Sequence, residues 1–150
     1  VDQAIAARRR IAIISTMLKS AKLVAIRRRG RQVLLVRRRK DKRWMFPGGR
    51  RKRGYRETAK ACLRREIKEE LPALKIGRFR RWESLGGRNR YSRKKMSDAV
   101  FIASAKGKLR IGAPREIDKA AWRSPWLGKL TPTSRHIRDK LASAGHIKKR

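Results

Sequence analysis

Residues 57–72 read ETAKACLRREIKEELP, and this stretch decides how the chain is understood. Ala59, Cys62, Leu63, Ile67 and Leu71 recur at helical spacing, and Pro72 closes the run, so the pattern predicts a helix over 57–71. The chain has 46 Lys and Arg but only 11 Asp and Glu. Four of those acids, Glu57, Glu66, Glu69 and Glu70, fall inside this stretch, where even spacing would place about one. A cluster so contrary to the rest of the composition points to function.

On a helix, positions i, i+3 and i+4 share a face, so Glu66, Glu69 and Glu70 are expected to converge. Three like charges at that spacing repel unless a cation bridges them. Oxygen-only ligands suit a hard divalent ion, Mg²⁺ or Mn²⁺. The competing reading is a solvated helix whose acids pair with Arg64, Arg65 and Lys68, and the helix alone leaves both open.

The residues ahead of the helix favour the first. Pro47-Gly48-Gly49 offers backbone where a carbonyl can meet a cation or an amide can meet a phosphate. Glu57 and Arg65 lie eight positions apart, so one helix edge can carry a Glu57–Arg65 pair. Glu57 is about half a circumference from Glu66, so it supports the helix instead of holding the ion.

Gly49, Glu57 and Arg65-Glu66-Ile67-Lys68-Glu69-Glu70 together resemble the box of the Nudix hydrolases, G-x5-E-x7-R-E-U-x-E-E-x-G-U. The match is complete from Glu57 to Glu70. Seven residues instead of five separate Gly49 from Glu57, and Pro72 stands where the family usually has glycine. The resemblance extends from about Lys22 to Leu141 through the order of elements. It implies a Nudix-type α/β/α sandwich with a mixed β-sheet, an expectation that the element pattern shares. It also implies a Mg²⁺- or Mn²⁺-dependent pyrophosphohydrolase acting on a small diphosphate. Glu66, Glu69 and Glu70 would then hold metal, with a carbonyl of Gly48 or Gly49, and Glu69 and Glu70 would serve catalysis. Glu116, six residues before Trp122, is the implied further ligand or general base, with Asp118 and Asp98 as alternatives. Arg50, Arg51 and Arg53 would bind the remaining phosphates. A homodimer follows by family analogy alone.

The remaining chain reads as strands and turns. Residues 22–29 and 32–37 suggest a hairpin across Gly30-Arg31, and 44–46 a short strand. Residues 74–82 and 99–105 suggest strands, with 108–111 pairing back on the latter. Residues 133–144 suggest a closing helix capped by Thr133 or Ser134, and 145–150 a frayed basic tail. Residues 1–20 suggest a basic helix or arm before a domain over 21–144. A cleaved leader, or a start at Met17, is the alternative.

A net charge of +35 favours polyanions, so non-specific nucleic acid binding is the second functional reading. A third takes the basic surface as introduced onto an ordinary enzyme scaffold, which would leave it silent about partners. The single cysteine, Cys62, excludes an intrachain disulfide and suits the cytoplasm. No apolar run reaches the length of a membrane span.

Overall fold

The computed structural model describes residues 18–52 and 56–149. The expected N-terminal arm lies almost wholly outside them, as does Arg53. The strands are β1 (Ser20–Val24), β2 (Ile26–Arg27), β3 (Gln32–Arg38), β4 (Trp44–Met45), β5 (Gly48–Arg50), β6 (Lys75–Ile76), β7 (Arg80–Leu85), β8 (Asp98–Ile102), β9 (Ala105–Lys106) and β10 (Ile117–Arg123). The helices are α1 (Ala59–Glu70) and α2 (Pro132–Ser143).

One mixed sheet runs β5-β1-β8-β7, with β1 parallel to β8 and the other pairs antiparallel. A second, antiparallel sheet runs β10-β3-β2, with β4 also on β3. The alternation of β3 shows why helices cover both faces. Leu34 and Val36 join Leu63, Ile67 and Leu71 of the α1 side, whereas Val33 and Leu35 join Ile137 and Leu141 of α2. Successive strand side chains point to opposite faces, so an unbroken apolar run must be buried twice. That is the expected α/β/α sandwich.

Several boundaries differ from the sequence pattern, each for a local reason. Helix α1 begins two residues late because Thr58 caps it, its hydroxyl accepting from the Ala61 amide at 3.1 Å. Glu57 therefore precedes the helix. Helix α2 is capped by Thr131, not Thr133 or Ser134, with Pro132 at its first position. Ser134 is buried instead, its hydroxyl accepting from the Phe46 amide at 3.0 Å. The strand expected over 74–82 divides into β6 and β7, and β6 pairs with β9. Residues 108–111 form no strand.

The tail is docked, not frayed. Ile147 is buried in the α2-side core, and the Lys148 amide donates to the Gly30 carbonyl at 2.9 Å. The Trp126 indole donates to the Lys148 carbonyl at 3.2 Å. Among the described residues, no helix is long and apolar enough to cross a membrane.

Candidate active site

Helix α1 buries Ala59, Cys62, Leu63 and Ile67, and this sets the direction of its carboxylates. Glu70 follows the buried stripe inward and is only 3% exposed. It lies against β1 and β5, where the Gly48 amide donates to it and the Lys22 ammonium faces it. Its Oε2 is buried without a hydrogen-bond partner. Burial pushes the Glu70 carboxyl up to about 8, and the charges of Glu66 and Glu116 push the same way. Lys22 and the Gly48 amide oppose them. Burial in turn lowers the Lys22 ammonium, with Glu70, Asp98 and Glu66 opposing.

An unpartnered buried carboxylate oxygen costs about 1–3 kcal/mol or more. The position aggravates this, because the last turn of a helix carries the negative end of its dipole. A hard cation is a group whose chemistry fits these oxygen donors.

Gly49 makes room for Glu66. A methyl at residue 49 would stand 2.4 Å from the Glu66 Cδ, so only glycine lets that carboxylate lie across β5. Gly48 is required for a different reason: it has φ +142°, and a methyl there would meet the Ala21 carbonyl oxygen at 2.0 Å. Gly48 thus serves close packing of β5 on β1, and Gly49 close packing of β5 on α1. The Gly49 carbonyl lies 3.7 Å from the Cys62 sulfur. Burial raises the Cys62 thiol to about 11, as befits a core residue.

Arg65 organises the remaining acids. It donates to Glu57 through Nε at 3.2 Å and Nη2 at 2.7 Å, and to Glu66 through Nη1 at 2.8 Å. Its Nη2 also reaches the Arg50 carbonyl at 3.3 Å, tying helix to β5. The fork holds the Glu57 carboxyl below its usual range. Glu69 lies 3.6 Å from Arg65 Nη1 and is half exposed.

The three-carboxylate convergence expected for Glu66, Glu69 and Glu70 is therefore not formed. Among the described residues, no three acidic, imidazole or thiol side chains close on a single point. Glu70 turns inward, Arg65 draws Glu66 aside, and Glu69 faces solvent. The charges of Glu66 and Glu116 are both felt at Glu70. Glu116 arrives on the turn before β10, exposed, from a segment seated where the Gly112 amide donates to the Glu70 carbonyl at 2.8 Å. Asp118, by contrast, is committed to Arg37 at 2.9 Å and to Lys42. Asp98 accepts from the Ser20 hydroxyl and from the Ser97 amide at 3.2 Å.

Beside Lys22 and Gly49 opens a cleft of about 520 Å³. Arg50 lines it, whereas the Arg51 backbone amide is bonded to the Lys19 carbonyl at 2.8 Å. Asn89, Ser92 and Lys94 to Asp98, from the β7–β8 connection and the start of β8, form another part of its wall. Sequence reasoning passed over Lys22 and this wall. The one available signal was a lysine inside an otherwise apolar strand, Ala21-Lys22-Leu23.

A model of the NUDIX domain matches residues 17–141. The chain belongs to the Nudix family. As a Nudix hydrolase it acts on pyrophosphate bonds. Its fold is similar to that of a MutT NUDIX hydrolase from Burkholderia pseudomallei, with TM-score 0.67 and 22% identity over 83% of this chain and 97% of that one. A UDP-X diphosphatase is similar at TM-score 0.63 and 18% identity, over 93% and 73%. An ADP-ribose pyrophosphatase from Streptococcus suis is similar at TM-score 0.57 and 15% identity, over 86% and 94%. At such identities the likeness speaks to the fold. No curated protein sequence matches the chain.

Proposed function

We propose that this Nudix hydrolase cleaves the diphosphate linkage of a nucleoside-diphosphate derivative or another highly anionic diphosphate, using Mg²⁺ or Mn²⁺. The observation that carries the reading is Glu70: a buried carboxylate with an unpartnered oxygen, beside Glu66 and Glu116. Its donor chemistry fits a hard divalent ion. Glu70 and Glu66 would hold it, with a carbonyl from Gly48 or Gly49, and Glu69 would join them by swinging its half-exposed carboxylate in from solvent. The ion would supply positive charge against the anionic phosphate oxygens and make an attacking water more acidic.

The chain's own groups do the rest. Glu116, exposed and with its charge felt at Glu70, is the base that takes the water's proton, with Glu69 and Glu70 as the other candidate carboxylates. Arg50, Arg51 and Arg53 bind the flanking phosphates, where fork-shaped guanidinium groups match phosphate oxygens. Arg65 positions Glu66 and anchors Glu57. One water is consumed per turnover. A new P–O bond forms to its oxygen, the bridging P–O bond breaks, and the released proton passes through the base to solvent.

A panel of diphosphates with Mg²⁺ tests the reading. At least one compound should release phosphate-bearing products, and Glu70→Gln should abolish that with an unchanged circular dichroism spectrum. Titration calorimetry of Mn²⁺ should show binding that Glu70→Gln weakens. The net charge of +35 favours a second reading, a non-catalytic polyanion-binding module. It wins if the whole panel is inert while RNA binds with a steep salt dependence.

A further inference from the structure

Arg28 and Arg29, on the turn between β2 and β3, both stand in left-handed backbone, with φ +51° and +56°. Gly30 follows at +89°. Left-handed positions suit glycine and asparagine, which is why Asn-Gly is the usual choice in a tight hairpin. Lys42 and Arg93 each take such a position singly, and only here, among the described residues, are two residues other than glycine adjacent in it. A local rule broken twice in succession marks a place where the side chains themselves are wanted.

The turn is also braced. The Lys148 amide donates to the Gly30 carbonyl at 2.9 Å, and a methyl at residue 30 would meet the His146 carbonyl oxygen at 2.9 Å. The docked tail therefore sets the direction of the arginines before any ligand arrives.

Arg28, Arg29, Arg31, Gln32 and Ser124 line a surface cavity of about 560 Å³ with no acid on its walls. None of the three arginines has an ion-pair partner among the described residues. Fork-shaped guanidinium groups match phosphate oxygens, and Gln32 and Ser124 add neutral donors. Beside the cavity, exposed Arg27 pairs with Gln32 across the ladder and lies over Trp122, 4.0 Å from the ring centroid. Such a pair presents a flat cationic plane on which a base of any identity can stack. Half-buried Trp126 follows two residues after Ser124, with the Lys149 ammonium 5.5 Å from its ring centroid.

We propose that the β2–β3 turn is a second phosphate site, remote from the cleft beside Gly49, that takes the backbone of a single-stranded nucleic acid. Arg28, Arg29 and Arg31 bind backbone phosphates, and Arg27 on Trp122 stacks a base beside them. A lipid surface fits less well, because Leu127 is the only exposed large apolar side chain among the described residues. Strand β3 carries Gln32 at this site and Arg38 at the cleft, so the two lie about 20 Å apart along one strand. The site stands apart from hydrolysis at the cleft, and it places nucleic acid on one turn, not on the surface charge at large.

The test is fluorescence anisotropy of a labelled oligouridine of about twelve nucleotides with the full chain. It is run in about 0.2 M salt, where distant charges are screened. Arg28→Asn/Arg29→Gly should weaken binding by about tenfold. It should also flatten the slope of log K against log salt by about 1.4, two contacts at about 0.7 each. The same variant should melt about 2–5 °C higher, since the turn gains the residues its backbone prefers. Weaker binding with greater stability is a pair of changes that a merely structural turn does not give. Lys94→Gln/Lys95→Gln removes the same charge at the cleft and should change affinity by less than about threefold. An abasic strand of equal length should bind about tenfold more weakly than oligouridine.

Equal losses in the two variants overturn the site, since the general field would then be responsible. Equal binding of the abasic strand overturns the choice of nucleic acid in favour of any polyanion. Phosphatidylserine vesicles that bind through Arg28 and Arg29 while oligouridine does not overturn it in favour of a membrane. A lower melting temperature alongside the lost binding would mean that the arginines serve the fold, and overturns it too.

Discussion

Arg65 grips Glu57 with two hydrogen bonds, Nη2 to Oε1 at 2.7 Å and Nε to Oε2 at 3.2 Å, while a third nitrogen holds Glu66 at 2.8 Å. One guanidinium thus fixes the loop before α1 and a carboxylate of the site together. The pair is mostly buried, with side-chain exposures of 21% and 12%, so solvent screens it only partly.

Arg65→Lys keeps the charge but cannot reproduce the fork. The variant should lose about 1–3 kcal/mol of stability, the range for charge-assisted hydrogen bonds. Turnover should fall further than stability explains, because Glu66 is released. Urea unfolding alongside kcat at a temperature where the variant is fully folded separates the two effects.

The raised Glu70 carboxyl gives the metal-free protein a definite pH dependence. Its pKa is about 8 when folded against an ordinary 4.5, so between those values the folded state holds a proton that the unfolded state has lost. Stability should therefore be greatest below about pH 4.5 as regards this group, and fall as pH rises through 8. The loss is about 2–4 kcal/mol at 1.36 kcal/mol per unit, after allowance for relaxation. Chelator-treated protein should show that slope by thermal melts, and Glu70→Gln should flatten it. An unchanged slope in the variant would remove Glu70 as the cause.

The two glycines of β5 should respond differently to alanine. At residue 48 the added methyl meets backbone at 2.0 Å in a positive-φ conformation, so Gly48→Ala should lose about 2–4 kcal/mol and resist purification. At residue 49 the methyl meets the movable end of Glu66. Gly49→Ala should stay within about 1 kcal/mol of the parent while Mn²⁺ affinity drops. Similar stabilities for both would contradict the close-packing account.

Ile147→Ala should cost about 2–4 kcal/mol, since the side chain is 3% exposed within the α2-side core. Removal of residues 146–150 should cost at least as much, through loss of the Lys148–Gly30 hydrogen bond as well. Guanidinium melts will show whether the tail is structural; an unshifted midpoint would mean that it is not.

Local chemistry was legible without coordinates. The helical spacing of Cys62, Leu63 and Ile67, the stop at Pro72, and the apolar run of β3 all act within a turn or a strand, where neighbours in sequence are neighbours in space. The Glu57–Arg65 pair belongs here too, although a cap at Thr58 moved Glu57 out of the helix. The α2 cap, expected at Thr133 or Ser134, lies at Thr131 because Pro132 is suited to the first helical position.

The long-range decisions came from packing. Nothing local announces that Lys22, 48 residues before Glu70, will face it, or that the β7–β8 connection will form part of the cleft wall. Nor does the spacing of Glu66, Glu69 and Glu70 show that one will be buried, one drawn to Arg65 and one left in solvent. The order of residues determined a carboxylate-bearing helix of the Nudix type on one face of strands that are apolar on both sides. Which of its charges lose their water was decided only when β1, β5 and the turn at Glu116 closed around it, because burial is a property of the whole assembled chain.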